Sequence, residues 1–308
     1  MHAMTQSPSP VAASAATHAS QSIELGERGV LRPGRLRWLR ACAWATLLFF
    51  LVAVPTGIVT RLLGSFWPKT DEPVQFAVSA FGALVALGIY TLAVRLGERR
   101  TPSEIALRPM LPQLVIGLLA GAAMFSAVMG IMALFGLYDI QPTGPASAWT
   151  PLRQALQAGI VEELMMRAAI LRLLWRAFGP WAAFAVSSAI FGLSHLGNPN
   201  ATVLAAICIA LEAGVMLGAF YALTGRIWVS IGAHIAWNFT QGYLFGAAVS
   251  GITSGAAIAR SVPNPAMPEM LTGGVFGPEA SLPAALVCLV VGLSIVWMAW
   301  RAGRFATR

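Results

Sequence analysis

Eight apolar stretches dominate the sequence, and each is close to the ~20 residues that an α-helix needs to cross a bilayer. Their approximate limits are 38–60, 75–95, 112–138, 152–176, 180–197, 201–224, 227–247 and 283–302. The composition agrees, because 57% of the residues are hydrophobic and only 10% are charged, whereas a soluble domain carries about 25% charged residues. The sequence therefore predicts an all-α, polytopic membrane protein with about eight transmembrane helices.

The basic residues predict the orientation of these helices. With both termini in the cytoplasm, 15 of the 20 lysines and arginines fall on the cytoplasmic side, four fall on the outer side, and Arg167 lies inside a stretch. Because positive residues favour the cytoplasmic side, we expect cytoplasmic N- and C-termini. An alternative with six spans and two re-entrant segments is less favourable, because it moves arginine clusters outside. The net charge of +8 fits this topology without any nucleic-acid partner.

The chain divides into five parts by composition. They are a cytoplasmic N-terminal tail over 1–36, three membrane helices over 37–150, a candidate catalytic core of four helices over 151–245, an outer loop over 246–282, and a last helix with a short cytoplasmic tail over 283–308. The start of the tail is rich in Ser, Ala and Pro, which predicts disorder. The outer loop, in which Glu279 lies at the edge of a span, is either a cap over a cavity or a plain connection, and we favour the plain connection. We interpret residues 98–109 as a solvated turn at the inner membrane surface.

Few ionisable residues lie within the apolar stretches. Charge inside hydrocarbon costs about 2.5–3.5 kcal/mol even by insertion scales, so each such residue is a candidate functional group. These residues are Glu162, Glu163, Arg167, His195, Glu212 and His234, with Asn238 as a polar neighbour. The sequence does not decide whether Glu212 lines a cavity or is a neutral buried acid.

Glu163 and Arg167 are four residues apart, with the glutamate N-terminal, which favours an ion pair on one helical face. Glu162 is rotated by about 100° from Glu163 in an ideal helix and lacks that partner. We therefore interpret Glu163 and Arg167 as structural support. Glu162 is left as the group available for chemistry.

The remaining polar residues fit a hydrolytic site. A carboxylate and a histidine can hold and deprotonate water, and a second histidine with an amide can donate hydrogen bonds to an oxyanion. Glu162, His195 and His234 also form a normal zinc ligand set, and the residues alone leave this alternative open. Ser194 has no separate base, so a serine nucleophile is not favoured.

Three motifs carry a family resemblance. Glu162-Glu163-x-x-x-Arg167, Phe191-x-x-x-His195 and His234-x-x-x-Asn238 resemble, in order and spacing, the motifs of the CPBP family. This is the CAAX-protease and bacteriocin-processing (Abi) family of intramembrane proteases. The run GVMLGAFYALTGRIW, residues 214–228, is similar to the family's link between its second and third motifs. The resemblance covers roughly residues 150–245.

This resemblance implies an eight-helix core with the catalytic group inside the membrane. It implies that Glu162 and His195 activate water and that His234 and Asn238 stabilise the oxyanion. Glu163 and Arg167 match the supporting positions. The family is described both as metalloproteases and as metal-free, glutamate-dependent proteases, and we favour the glutamate version.

The resulting hypothesis is an intramembrane endopeptidase similar to a CAAX prenyl protease. It needs no cofactor in the glutamate version and Zn in the alternative. Its expected partners are the lipid bilayer and a peptide or protein substrate at the membrane, lipidated or unmodified. Its expected location is the bacterial inner membrane.

Two other function classes are weaker. A transporter or ion relay needs a continuous polar path, whereas the polar residues form one cluster. A non-enzymatic bacteriocin-immunity protein has no reason to retain costly buried charges.

Overall fold

A computed structural model describes residues 23–305, and this part of the chain is mostly helical. The expected disorder at the start of the N-terminal tail falls on residues 1–22, which lie outside the described residues. From residue 23 onward the tail includes a 3₁₀ turn, Gly29–Leu31, whose Leu31 is buried. This part of the tail packs against the helix Arg37–Gly64 and the segment Val94–Glu98.

Eight long helices match the eight apolar stretches in position. Their bounds are α1, Arg37–Gly64; α2, Glu72–Glu98; α3, Met110–Leu134; α4, Trp149–Glu163 continued by Leu164–Leu171 and Arg172–Phe178; α5, Pro180–Ser194; α6, Val203–Thr224; α7, Trp228–Phe239 continued by Thr240–Leu244; and α8, Leu282–Arg301. Within the described range, α1, α2, α3, α6 and α8 are long and apolar enough to cross a membrane. The count of eight crossings and the cytoplasmic termini stay predictions.

Four of these helices contain a π-helical segment, in which i→i+5 hydrogen bonding locally widens the helix. The segments are Val94–Glu98, Leu164–Leu171, Ala210–Val215 and Thr240–Leu244. Each contains a buried charged or amide side chain, namely Glu98, Arg167, Glu212 and Gln241. The widened turns therefore coincide with the polar groups that the core has to accommodate.

A small sheet is the exception to the all-α prediction. Strand β1, Tyr138–Pro142, pairs antiparallel with β2, Ala259–Pro263, in a register that places Tyr138 opposite Pro263. Each strand has only five residues, too few for a clear alternating pattern, and its partner is far away in sequence. The sheet ties the segment after α3 to the outer loop. That loop also contains a helical turn, Glu269–Thr272, and a 3₁₀ turn, Pro278–Ala280.

Helices α3 and α7 pack backbone against backbone. A Cβ atom added to Gly117 would lie 2.2 Å from the carbonyl oxygen of Val229, and one added to Gly121 would lie 2.2 Å from that of Ala233. Small residues allow such close helix contacts in membrane proteins. Because His234 directly follows this contact, the crossing fixes the position of its backbone.

The prediction of a solvated turn over residues 98–109 is wrong for its glutamates, although Arg99, Thr101, Leu107 and Arg108 are exposed. Glu98 and Glu104, which lies in the 3₁₀ turn Ser103–Ile105, are 0% and 1% exposed. Arg172 of α4, also buried, donates to Glu98 at 2.9 and 2.5 Å. Arg100 donates to Glu104 at 2.7 and 2.8 Å and to Glu98 at 2.7 Å. Arg172 is one of the 15 basic residues counted on the cytoplasmic side, and in the structure it is a buried ion-pair partner.

We call Glu98, Arg100, Glu104 and Arg172 the inner network. Tyr90 also donates a hydrogen bond to Glu104, and Trp44 donates one to Glu98 at 2.9 Å. Burial alone would raise the pKa of Glu104, but Arg172 and Arg100 hold it below its usual value. The carboxylates are tolerated because each faces two guanidinium groups.

Candidate active site

Helix α4 carries the predicted ion pair. Glu163 is fully buried, and its Oε1 accepts a hydrogen bond from Nη1 of Arg167 at 2.9 Å. Arg167 also donates to the carbonyl of Ala213 in α6, and its guanidinium lies 4.8 Å from the centre of the Phe191 ring in α5. The pair is therefore present, and its arginine contacts two further helices.

Glu163 has a second partner that sequence reasoning missed. Its Oε1 lies 2.9 Å from Nδ1 of His234 in α7. A carboxylate paired with arginine can only accept hydrogen bonds, so Nδ1 of His234 donates this one. The other ring nitrogen, Nε2, is then left for chemistry: it is an acceptor when His234 is neutral and a donor when it is protonated. Glu163 thus orients His234 as well as pairing with Arg167.

Glu162 lies in a different environment from Glu163. Its side chain is 32% exposed, and its Oε2 lies 4.0 Å from Nε2 of His234. Its exposure makes Glu162 the accessible carboxylate of the adjacent pair. This agrees with the expected difference between the two glutamates.

His195 begins a 3₁₀ turn, His195–Gly197, at the end of α5. Its Nδ1 lies 2.8 Å from the carbonyl oxygen of Phe191, which can only accept, so this nitrogen carries a hydrogen. In neutral His195 the basic lone pair is consequently on Nε2. The hydroxyl of Ser194 donates to the same carbonyl at 2.7 Å. Its oxygen also lies 3.3 Å from Nδ1 of His195. That nitrogen carries a hydrogen and cannot accept the hydroxyl proton, so Ser194 has no general base, in line with the low expectation for a serine nucleophile.

An open cleft brings the four predicted catalytic residues together. It offers about 410 Å³ of space, and its lining includes Glu162, His195, His234 and Asn238. Gln154 and Gln157 of α4 add amide groups to its wall, and apolar side chains of α4 supply much of the rest. The cleft is large enough for a peptide segment, whose backbone amides can pair with the polar groups.

The donors proposed for zinc do not form a ready ligand set. Across residues 23–305, no group of three or more His, Cys, Asp or Glu side chains is arranged to hold a metal ion. Glu162 and His234 are neighbours, but His195 does not complete a ligand group with them. Metal dependence stays a prediction, and the chemistry described below uses only the side chains.

The outer loop also contributes to the site, which corrects its interpretation as a plain connection. Ser250 lines the cleft with its backbone in the left-handed region, at φ +49°. Its amide donates to the carboxyl of Glu279, and its carbonyl accepts from Asn198 at 3.2 Å. Burial raises the pKa of Glu279, although the hydrogen bond from Ser250 opposes this. Sequence reasoning noted Glu279 only as a residue at a span edge, because about 40 residues separate it from the last motif.

Comparison with known families gives one match. Residues 144–240 match the family model described as "Type II CAAX prenyl endopeptidase Rce1-like". This segment contains all three motifs and agrees with the predicted CPBP resemblance. No curated protein and no solved structure matches the chain.

Proposed function

We propose that this multi-pass membrane protein is an intramembrane endopeptidase of the glutamate-dependent type, because residues 144–240 match the family model described as type II CAAX prenyl endopeptidase Rce1-like. One observation carries the proposal: Glu162, His195, His234 and Asn238 line a single cleft although they come from three helices. Each of these residues would be costly in a membrane without a shared task.

In the proposed reaction, a water molecule lies between the carboxylate of Glu162 and the Nε2 atom of His195. These groups remove a proton from the water as its oxygen attacks the carbonyl carbon of the scissile bond. The C–O bond forms and the carbonyl becomes an oxyanion. When the C–N bond breaks, the proton taken from water passes to the leaving amine, so that no other reactant is needed.

His234 and Asn238 are the proposed oxyanion donors. Asn238 has an amide N–H₂ group for this role. Nδ1 of His234 is committed to Glu163, so Nε2 donates only when His234 is protonated. The carboxylates of Glu162 and Glu163 lie close to the ring and stabilise that protonated form. Such preorganised donors stabilise the developing charge without reorganisation.

The proposed substrate is a peptide segment at the membrane. The cleft combines apolar walls with the amides of Gln154 and Gln157, which suits an extended peptide with apolar side chains. The family description suggests a prenylated C-terminal peptide as the first probe. The same peptide without its lipid is the comparison that shows whether lipidation is recognised. The bacterial inner membrane remains the predicted location, which fractionation of source cells would test.

The test uses the purified full-length protein in proteoliposomes with the two matched peptides. Mass spectrometry should identify a new N-terminus at one bond. The Glu162→Gln variant should lower kcat by about 10²- to 10⁴-fold, the usual contribution of a general base. Asp139→Asn, at an exposed acid that does not line the cleft, should leave kcat unchanged.

Cleavage by Glu162→Gln at the wild-type rate would contradict the proposal. The metal content of the active protein and the effect of chelators on its rate test the zinc alternative. Activity that disappears with chelator and returns with Zn²⁺ would favour that alternative.

A further inference from the structure

A smaller cavity lies behind the cleft and has no role in the proposed chemistry. It offers about 40 Å³ of space, and it shares His195, His234, Asn238 and Ser250 with the cleft. We call it the inner chamber. Its remaining wall includes Glu212 of α6 and Glu279 of the outer loop. The chamber therefore adjoins the proposed catalytic groups on their protein-facing side.

Glu212 is the unexplained residue of this chamber. It lies outside the three motifs, within the π segment Ala210–Val215, and is 3% exposed. Its Oε1 atom is buried and has no hydrogen-bond partner in the protein. Leaving such a group without a hydrogen-bond partner is unfavourable. A hydrogen-bond partner for this oxygen can therefore lie in the chamber.

The volume of the chamber limits how large that hydrogen-bond partner can be. A buried water molecule needs roughly 10–15 Å³ of such space, so 40 Å³ accommodates a few water molecules but no peptide segment. A buried water also needs two to four polar neighbours. Glu212, Glu279, His195 and Asn238 supply these neighbours around the chamber. The described residues offer no three-donor group for a metal ion here.

We propose that Glu212 anchors internal water in the inner chamber, and that this water supplies the hydrolytic site from behind while substrate fills the cleft. The supply step rests on the proposed protease function; the hydration of the chamber does not. A membrane enzyme that hydrolyses a bond needs such a source, since lipid and substrate otherwise exclude water from the cleft. Glu212 is thus a positioning residue for water, distinct from the catalytic Glu162.

Hydroxyl-radical footprinting by X-ray radiolysis tests the hydration directly, on full-length protein in lipid nanodiscs. Met216, Trp237 and Cys288 line the chamber and are oxidisable reporters, although all three are buried. Met129 and Met132 are fully buried in the same apolar cluster as these reporters but do not line the chamber, and they serve as internal controls. The chamber reporters should be labelled several-fold faster than the controls.

Two variants connect this labelling to Glu212. Glu212→Leu should reduce labelling of the three reporters to the rate of Met129, whereas Glu212→Gln, which keeps hydrogen-bonding capacity, should retain most of it. An unchanged melting temperature and unchanged labelling of Met129 would show that the variants are folded. Wild-type reporters labelled as slowly as the controls, or labelling unaffected by Glu212→Leu, would overturn the proposal.

Peptide cleavage supplies the second readout. Glu212→Leu should lower kcat by about 3- to 30-fold, the range for losing one well-ordered water, with KM unchanged, and Glu212→Gln should recover most of the rate. If the wild type hydrolyses no peptide while labelling still depends on Glu212, the protease assignment fails and the chamber assignment survives. If cleavage occurs and labelling does not depend on Glu212, the chamber assignment alone fails.

Discussion

The molecule contains two buried ionic clusters that are built differently. In the inner network, Glu98 and Glu104 face Arg100 and Arg172, and every carboxylate oxygen of the two has a partner. At the site, Arg167 pairs with Glu163 but not with Glu162, His234 lies beside both glutamates, and Oε2 of Glu163 has no partner. Full compensation favours a rigid, unreactive cluster, whereas incomplete compensation leaves groups that can exchange protons.

Removing a guanidinium from the inner network should have the largest effect on stability. Arg172→Met leaves Glu98 with one arginine instead of two, and breaking a buried ionic group in this way costs about 3–5 kcal/mol. The free energy of unfolding in mixed micelles should fall accordingly, while kcat per folded molecule stays unchanged. Arg61→Met, at an exposed position, is the matched control. Loss of cleavage at unchanged stability would show that the network belongs to the catalytic machinery.

Glu163→Gln should have an intermediate effect, on kcat, because Glu163 both pairs with Arg167 and orients His234. The amide keeps the shape of the carboxylate but loses the charge-assisted hydrogen bonds to Arg167 and His234. A hydrogen bond to a charged group contributes about 1.5–3 kcal/mol, so kcat should fall by about 10- to 150-fold. Steady-state kinetics should show an unchanged KM, because Glu163 is buried and does not line the cleft. A rise in KM with unchanged kcat would instead indicate that Glu163 acts on substrate binding.

The smallest expected effect is on how the unfolding temperature depends on pH, and it comes from the inner network. The pKa of Glu104 is below its usual value, so its contribution to stability is present above that value and is lost as the pH falls through the folded-state pKa. Glu104→Gln should therefore unfold at a lower temperature than the wild type at pH 7. The difference in unfolding temperature between the variant and the wild type should become smaller below about pH 4.3, the ordinary pKa of glutamate. Thermal unfolding curves from pH 7 to pH 3 measure it, and a gap that is constant over this range would contradict the assignment.

Local features of the fold could be predicted from the sequence. Apolar length alone gave the positions of the eight helices. Ser281 followed by Pro283 is a sequence pattern typical of a helix start, and at the start of α8 the Ser281 hydroxyl accepts from the Ala284 amide at 3.3 Å. The spacing of Glu163 and Arg167 predicted their ion pair. Each of these rests on residues within a few positions of one another.

Contacts between distant segments could not be predicted in this way. Glu98 appeared solvated because its partner Arg172 is 74 residues away. The contact between Glu163 and His234 was not predicted because His234 lies on another helix. The π segments accompany polar groups buried in a packed core. The periodicity of apolar residues does not distinguish them from ordinary α-helix, so they could not be predicted. Glu279 reaches the site only through the path of the outer loop.

The glycine contact between α3 and α7 places part of the support of the site outside the segment that matches the family model. The family match covers residues 144–240, yet the helix that positions His234 does so against Gly117 and Gly121, which precede this segment. Glu279, which holds the turn at Ser250, follows it. The segment recognised by homology is therefore smaller than the physical unit that builds the site. Grafting residues 144–240 into another membrane scaffold would transfer the motifs without the surface that aligns them.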